Sequence, residues 1–243
     1  MSNKTDSFCC FMATKGNMGF TQTKLSAWAD QTTANLYERY LDLLFEYNAR
    51  FNLTAIPSRE DAVVKHLLDS LAAEKHIPQN ATLLDIGSGC GCPGIPLKIA
   101  RPDISLTMLD STEKKIGFLN LVIQELNLLQ TTAICARAEE YAKTSARECF
   151  DVVTARAVAA LPILLELCAP FVKSGGLLIA YKGVKEEESL GAHAAKTLGL
   201  SLYKKEEYML DGQYSRTLLL YHKITHTPEN YPRLYARIQK KPL

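Results

Sequence analysis

The sequence predicts an α/β fold: a mostly parallel, doubly wound sheet with an antiparallel final hairpin, preceded by an N-terminal helical cap. Three observations carry that expectation. Apolar runs of strand length alternate with helical segments from Thr82 to Leu198. Four glycines (Gly87, Gly89, Gly91 and Gly94) fall within eight positions where the first run hands over to a helix. Asp211-Gly212 separates two further runs, and Asp-Gly between strand-like segments is a hairpin signal.

The cap comes first. Leu36, Tyr37, Tyr40, Leu41, Leu44 and Tyr47 recur at i, i+3/i+4 spacing, so an amphipathic helix follows Thr33 and ends near Asn48 to Asn52. A second helix is expected from Ser58 to Glu74, with Ser58 as N-cap and Asp61 as an acidic capping-box analogue. His76 and Pro78 punctuate its end. The repeating units open with strand Thr82 to Ile86, helix Ile95 to Ala100 closed by Pro102, and strand Ser105 to Leu109. Helix Lys114 to Asn127 and strand Thr131 to Ala136 follow. Strand Asp151 to Ala155, helix Leu161 to Val172 and strand Leu177 to Tyr181 continue the alternation. A polar helix around Lys185 to Leu198 precedes the hairpin strands Ser201 to Leu210 and Ser215 to Ile224. The organisation is thus an extension over 1–33, the cap over 34–80, the core over 81–226 and a basic tail over 227–243, in one globular domain.

A chain of 243 residues with 47% hydrophobic content can bury one substantial core. No apolar run approaches the roughly 18 residues of a membrane span, and Phe8 to Met12 is too short for a signal peptide. A cytoplasmic monomer without a membrane partner is expected. Seven cysteines without zinc-like spacing suit reduced thiols. Cys90-x-Cys92 alone reads as a metal or redox pair, but both lie inside the glycine turn and no second pair exists. No metal is therefore expected.

The net charge of +2 does not by itself argue for nucleic acid. In the tail, Arg233, Arg237, Lys240 and Lys241 stand with Tyr231 and Tyr235 and no acidic side chain. That suits phosphate neutralisation and base stacking, or a solvated, frayed end. The competing picture is a tail packed on the core near the cofactor pocket, with Pro242-Leu243 burying a little apolar surface. Lys98, Arg101, Lys114 and Lys115 are expected at exposed positions on the helices after the first two strands.

Asp85 stands two positions before Gly87, and Gly87-x-Gly89-x-Gly91 follows, the pattern of S-adenosylmethionine sites. Gly89-x-Gly91-x-x-Gly94 equally satisfies the dinucleotide pattern. Pro93 and Pro96 remove two amide donors from the turn that would hold a pyrophosphate, whereas a methyl donor carries no phosphate. Asp110, ending the second apolar run, can reach ribose hydroxyls from the neighbouring strand. A glycine turn without a ligand is the bland alternative. Dehydrogenase nucleotide domains end on another parallel strand; a closing antiparallel hairpin outlines the class I methyltransferase fold, a Rossmann-like sheet.

From Leu36 to the C-terminus the chain resembles the bacterial 16S ribosomal RNA guanine-N7 methyltransferases, once called glucose-inhibited division protein B. The matching segments include Tyr47 to Ile56, Lys65-His66-Leu67-Leu68-Asp69-Ser70 and the glycine turn through Pro93-Gly94-Ile95-Pro96. Leu109-Asp110-Ser111, Ala136 to Glu140, Thr154-Ala155-Arg156-Ala157, Tyr181-Lys182-Gly183 and the tail from Tyr231 to Leu243 match as well. The extension is not well covered, and Met12 or Met18 is a candidate start. The resemblance implies S-adenosyl-L-methionine as cofactor, 16S ribosomal RNA or the small ribosomal subunit as partner, and guanine 527 as target. It also implies a cofactor site at Gly87, Cys92, Ala138, Glu139 and Arg156, added to Asp85, Gly89 and Asp110 of the motif. Gly87 would carry backbone next to the methionine portion, and Ala138 and Glu139 would meet the adenine edge. Cys92 departs from the larger apolar residue expected there; Glu139 otherwise reads as a solvated carboxylate beside Glu140.

The chemistry can be argued from residues. The Asn/Asp-Pro-Pro-Tyr/Phe signature of some nucleic-acid amine methyltransferases is replaced here by Thr154-Ala155-Arg156-Ala157. Cytosine-C5 enzymes need a cysteine after the fourth strand, and Cys168 lies well inside the next helix. Guanine N7 is an in-plane lone pair that attacks a sulfonium methyl without losing a proton, so alignment, not a general base, is required. Arg156 is the catalytic candidate, placed to orient donor or base; an ion pair with Asp151 or Glu139 is its structural alternative. A small-molecule methyltransferase or aminopropyltransferase and a non-catalytic RNA-binding module are the rival functions. Intact Asp85, Gly87, Gly89, Gly91 and Asp110 speak against the last.

Overall fold

A computed structural model of the chain describes residues 29–183 and 188–243. The run Phe8 to Met12, the starts Met12 and Met18, and the opening of the polar helix at Lys185 lie outside the described residues.

The strands are β1 (Thr82–Ile86), β2 (Ser105–Asp110), β3 (Thr131–Cys135), β4 (Phe150–Arg156), β5 (Val172–Gly183), β6 (Leu200–Leu210) and β7 (Tyr214–Lys223). They form one sheet in the order β3-β2-β1-β4-β5-β7-β6. β1 to β5 pair in parallel, and β7 lies antiparallel between β5 and β6. The chain moves outward from β1 through β3, then returns to lay β4 on the other side of β1. That reversal opens a crevice at the carboxyl ends of β1 and β4, the usual ligand position of such sheets.

Both faces are covered, which is why the central strands read as continuous apolar runs. Leu83, Leu106, Val152, Ile179 and Leu218 face one core, and Leu84, Leu109, Val153, Leu178 and Leu219 face the other. Edge strand β6 is instead largely exposed and carries Lys204, Lys205, Glu206 and Glu207, charges that discourage edge-to-edge pairing.

The first face is packed by α1 (Gln31–Phe51), α2 (Arg59–Ala62), α3 (Asp69–Leu71), α4 (Gly94–Ala100) and α5 (Glu113–Glu125). α1 begins three residues before the expected cap boundary, because the Asp30 side chain accepts the Thr33 amide at 2.9 Å. Its apolar stripe buries Tyr37, Tyr40, Leu41 and Leu44. Asn52 ends it in the left-handed region at φ 50°. Ser58 caps α2 as expected, its Oγ accepting the Asp61 amide at 3.1 Å.

The second cap helix is not uniform. A π-helical stretch, Val63–Leu68, joins α2 to α3, and a 3₁₀ turn follows at Glu74–His76. Such stretches are rare and frequent at functional sites.

The second face carries α6 (Ala138–Tyr141), α7 (Leu161–Cys168), α8 (Ala192–Thr197) and α9 (Tyr235–Lys240). α7 stops short of Val172 because Pro170 supplies no amide to continue it. β5 starts earlier than expected, and a Cβ on Gly176 would stand 2.9 Å from the Asp151 carbonyl.

Lys98 is not an exposed helical position. It is buried, and its Nζ donates to the carbonyls of Pro102 at 2.9 Å and Ile104 at 2.5 Å. Arg101 is also half-buried, clamping Asp103 and the Ile77 and Pro78 carbonyls. Lys114 is exposed, whereas Lys115 leans on Asp110.

Candidate active site

The glycine turn is held together by its own amides. Gly87 and Ser88 donate to the Leu109 carbonyl at 2.8 and 3.2 Å, and Gly91 and Cys92 donate to the Ser88 carbonyl at 2.7 and 3.1 Å. Gly89 donates to Asp110 Oδ2 at 3.0 Å, and Gly94 to Asp85 Oδ2 at 3.2 Å. A pyrophosphate needs amides that point outward. These point inward, so the turn fits a nucleoside cofactor without phosphate and not a dinucleotide. Gly87 sits at φ +70°, and a Cβ there would stand 2.7 Å from Val158 Cγ2. Only glycine lets this backbone form the wall of a cleft.

That cleft, of about 310 Å³, lies at the carboxyl ends of β1 to β3 and is lined by Gly87, Asp110, Ala138, Glu139, Val158 and Tyr235 among others. Asp110 faces it with Oδ1 taken by the Thr112 amide at 3.0 Å and Lys115 Nζ 3.3 Å from Oδ2. Glu139 is buried, 3.8 Å from Arg137 Nη1, and is not the solvated carboxylate its neighbour Glu140 is. The Arg137 guanidinium lies 5.7 Å from the Tyr235 ring.

Asp85 and Cys92 stand behind the turn instead. Asp85 is fully buried and accepts from Thr154 Oγ1 at 3.0 Å; burial raises its carboxyl to about 7 despite that bond and the Gly94 amide. Cys92 Sγ lies 3.2 Å from the Tyr40 hydroxyl, which donates to the Cys90 carbonyl at 2.8 Å. α1 thus braces the turn from behind, with Tyr37 OH on the Pro96 carbonyl at 3.1 Å.

Arg156 ends β4 in a second, larger cleft of about 720 Å³. Nη1 donates to the Lys65 carbonyl at 2.8 Å and Asp69 Oδ2 at 2.9 Å, and Nη2 to His66 Nδ1 at 3.2 Å. The ion-pair partner is therefore Asp69, not Asp151 or Glu139. Asp151 is taken by Thr82 at 2.6 Å and by Lys173. Burial works against the guanidinium, but negative charge at Cys92 and Asp69 outweighs it and keeps the group protonated. Tyr208 OH donates to Asp69 Oδ1 at 2.8 Å, with Arg216 Nε 3.7 Å away. The cleft is basic on balance at its wall, where Lys65, Arg156, Lys182 and Arg216 stand against Asp69, with Lys65 paired to Asp61 at 2.9 Å. The two clefts meet at Ala157 and Val158, which line both.

The family model for rRNA small subunit methyltransferase G, GidB, matches residues 33–217. The chain belongs to this family. Curated members named ribosomal RNA small subunit methyltransferase G are similar over most of both chains. That of Lachnoclostridium phytofermentans is 46% identical over 85% of this chain and 88% of its own. That of Carboxydothermus hydrogenoformans is 44% identical over 86% and 91%. Among solved structures, the 4+2 cyclase SpnF has TM-score 0.56 at 14% identity over 81% of this chain and 97% of that one. A chain from the complex of the Haloferax volcanii Trm112 methyltransferase activator with a methyltransferase has TM-score 0.56 at 13% identity, over 75% and 98%. Those two likenesses concern the fold alone.

In this GidB-family chain the tail follows the packed alternative, not the frayed or phosphate-binding one. Arg233 grips the fully buried Glu166 through its amide at 2.9 Å, Nε at 2.8 Å and Nη2 at 2.6 Å. Ile238 is fully buried, and Tyr231, Tyr235 and Leu243 pack on the same core. The tail is neither frayed nor open at Arg233 to phosphate; it closes one side of the first cleft. Sequence reading offered Tyr235 as a base-stacking residue, whereas it lines the first cleft, and it gave no role to Lys65, His66 and Asp69 although the family-matched segment contains them. Tyr208 and Arg216 gave no local signal, since they reach the site only through the hairpin.

Proposed function

We propose that this protein transfers the methyl group of S-adenosylmethionine to N7 of a guanine in 16S ribosomal RNA. The observation that carries the reading is the junction: a phosphate-free nucleoside cleft opens onto a basic cleft at Ala157 and Val158, with Arg156 alongside. S-adenosylmethionine, when bound, supplies an electrophilic methyl on a sulfonium. Gly87, Asp110, Ala138 and Glu139 are the residues that would hold it, with Asp110 as acceptor for ribose hydroxyls. Asp85 and Gly89 serve by fixing the turn.

Lys65, Lys182 and Arg216 give the second cleft the charge that suits an RNA backbone. N7 reacts through a lone pair, so no side chain has to remove a proton. The protein's task is alignment, which can contribute on the order of 7–11 kcal/mol. Arg156, anchored on Lys65, His66 and Asp69, has the rigidity to orient donor or base.

Calorimetry tests the cofactor half of this reading. S-adenosylmethionine and its demethylated product should bind, and NAD should not. Asp110→Ala should weaken that binding by roughly 1.5–3 kcal/mol, as for a lost bond to a charged group. Tight NAD binding that survives the substitution would overturn the assignment.

A further inference from the structure

We propose that His66, Cys90 and Cys92 form a site for a soft divalent metal ion of the zinc and cadmium class, between the cap and the glycine turn. Their ligand atoms all lie within 4.8 Å of one another, and all three residues are buried. Sequence spacing offered only a Cys-x-Cys pair. The fold supplies the third ligand from the π-helical stretch, which turns His66 toward the thiols.

Two thiols and an imidazole make a ligand set that favours soft or borderline ions. Tetrahedral coordination with ordinary zinc–ligand lengths places S and N ligands about 3.6 Å apart. Cys90 Sγ and His66 Nε2 are 4.0 Å apart, so that pair needs a shift of only a few tenths of an ångström, and no two of the three ligand atoms are more than 4.8 Å apart.

Charge also balances. Two thiolates cancel a divalent ion, and Asp69 cancels Arg156 close by. No net charge is then left in the interior, which a buried site requires. A monovalent cation or a hard one, which prefers oxygen ligands, fits less well.

Hydrogen-bond accounting links the site to Arg156. A guanidinium only donates, so His66 Nδ1 accepts from it and Nε2–H faces Thr54 Oγ1 at 2.9 Å. An ion on Nε2 displaces that hydrogen, and Nδ1 must then carry it, which ends the contact with Arg156. The Arg156–Asp69 pair remains. Metal loading should thus tie the turn to the cap while loosening one anchor of Arg156.

Cadmium(II) titrated into the reduced, full-length protein tests this through the thiolate-to-cadmium ultraviolet band. A saturable band from one ion per chain is expected, and zinc(II) should compete it away and raise the melting temperature. Cys9→Ser with Cys10→Ser, and Cys135→Ser with Cys149→Ser, should leave the band intact. Cys90→Ala with Cys92→Ala should abolish it, and His66→Gln should weaken cadmium affinity by about tenfold or more. A band that survives loss of Cys90 and Cys92, or vanishes with the other cysteines, overturns the proposal. If the double alanine variant does not fold, His66→Gln decides, and unchanged affinity overturns it.

Discussion

Asp85 carries a measurable signature of its burial. Its carboxyl titrates at about 7 in the fold, against 3.8 ordinarily, because burial disfavours the charged form. Between those values the unfolded chain has released a proton that the folded chain keeps. Stability from this group is therefore fully present at low pH, falls as pH rises through that window, and levels off above about 7. The full step is roughly 4 kcal/mol as an upper bound. Asp85→Asn can still accept the Gly94 amide and donate to Thr154, but it does not titrate. Urea unfolding at pH 5 and pH 8 should show the variant gaining on the parent at the higher pH; parallel pH profiles would count against the shift. Arg156 calls for Arg156→Lys, because Arg156→Ala leaves the buried Asp69 carboxylate short of its main partner, a loss on the order of 3–5 kcal/mol. Lysine keeps the charge but not the planar fork. Methyl-transfer turnover should drop well beyond any loss of cofactor affinity, and equal losses would mean that Arg156 serves the cofactor alone.

Two elements position the clefts from outside the sheet, and each can be released separately. α1 reaches the turn through Tyr40, whose hydroxyl serves the Cys90 carbonyl in a fully buried place. Tyr40→Phe leaves that carbonyl unpaired and should lower stability by about 1–3 kcal/mol. Cofactor affinity should fall with it, as calorimetry on the folded variant would show; unchanged affinity would mean that α1 does not set the turn. α9 is held by Ile238 and by the Arg233–Glu166 pair. Ile238→Ala should lower stability by roughly 2–4 kcal/mol, as a buried large-to-small change. Because Tyr235 lines the first cleft, S-adenosylmethionine affinity should decline as well, while the salt dependence of RNA binding stays the same. A flattened salt slope with intact cofactor binding would instead restore the phosphate-contact reading of the tail.

Across the whole molecule, what the sequence reveals follows range. β1, β2 and the hairpin are legible because burial pattern and turn chemistry are local: Leu83, Leu84 and Ile86 carry the apolar run of β1, and Asp211-Gly212 sits at the bend. The glycine turn is legible for the same reason. Lys98 misleads because its partners are carbonyls beyond the helix end, and Arg233 because Glu166 is 67 residues away in sequence. The second cleft is assembled from the cap, β4, β5 and the hairpin, so no single segment announces it. The π-helical stretch has no clear periodic signature, yet it brings Lys65 and His66 to that cleft. Mass mapping of 16S ribosomal RNA from cells with and without this gene bears on the whole reading at once. The expected result is a single N7-methylguanine present with the gene and missing without it. An identical modification pattern in both, or a lost methyl on an exocyclic amine or a pyrimidine C5, would contradict it.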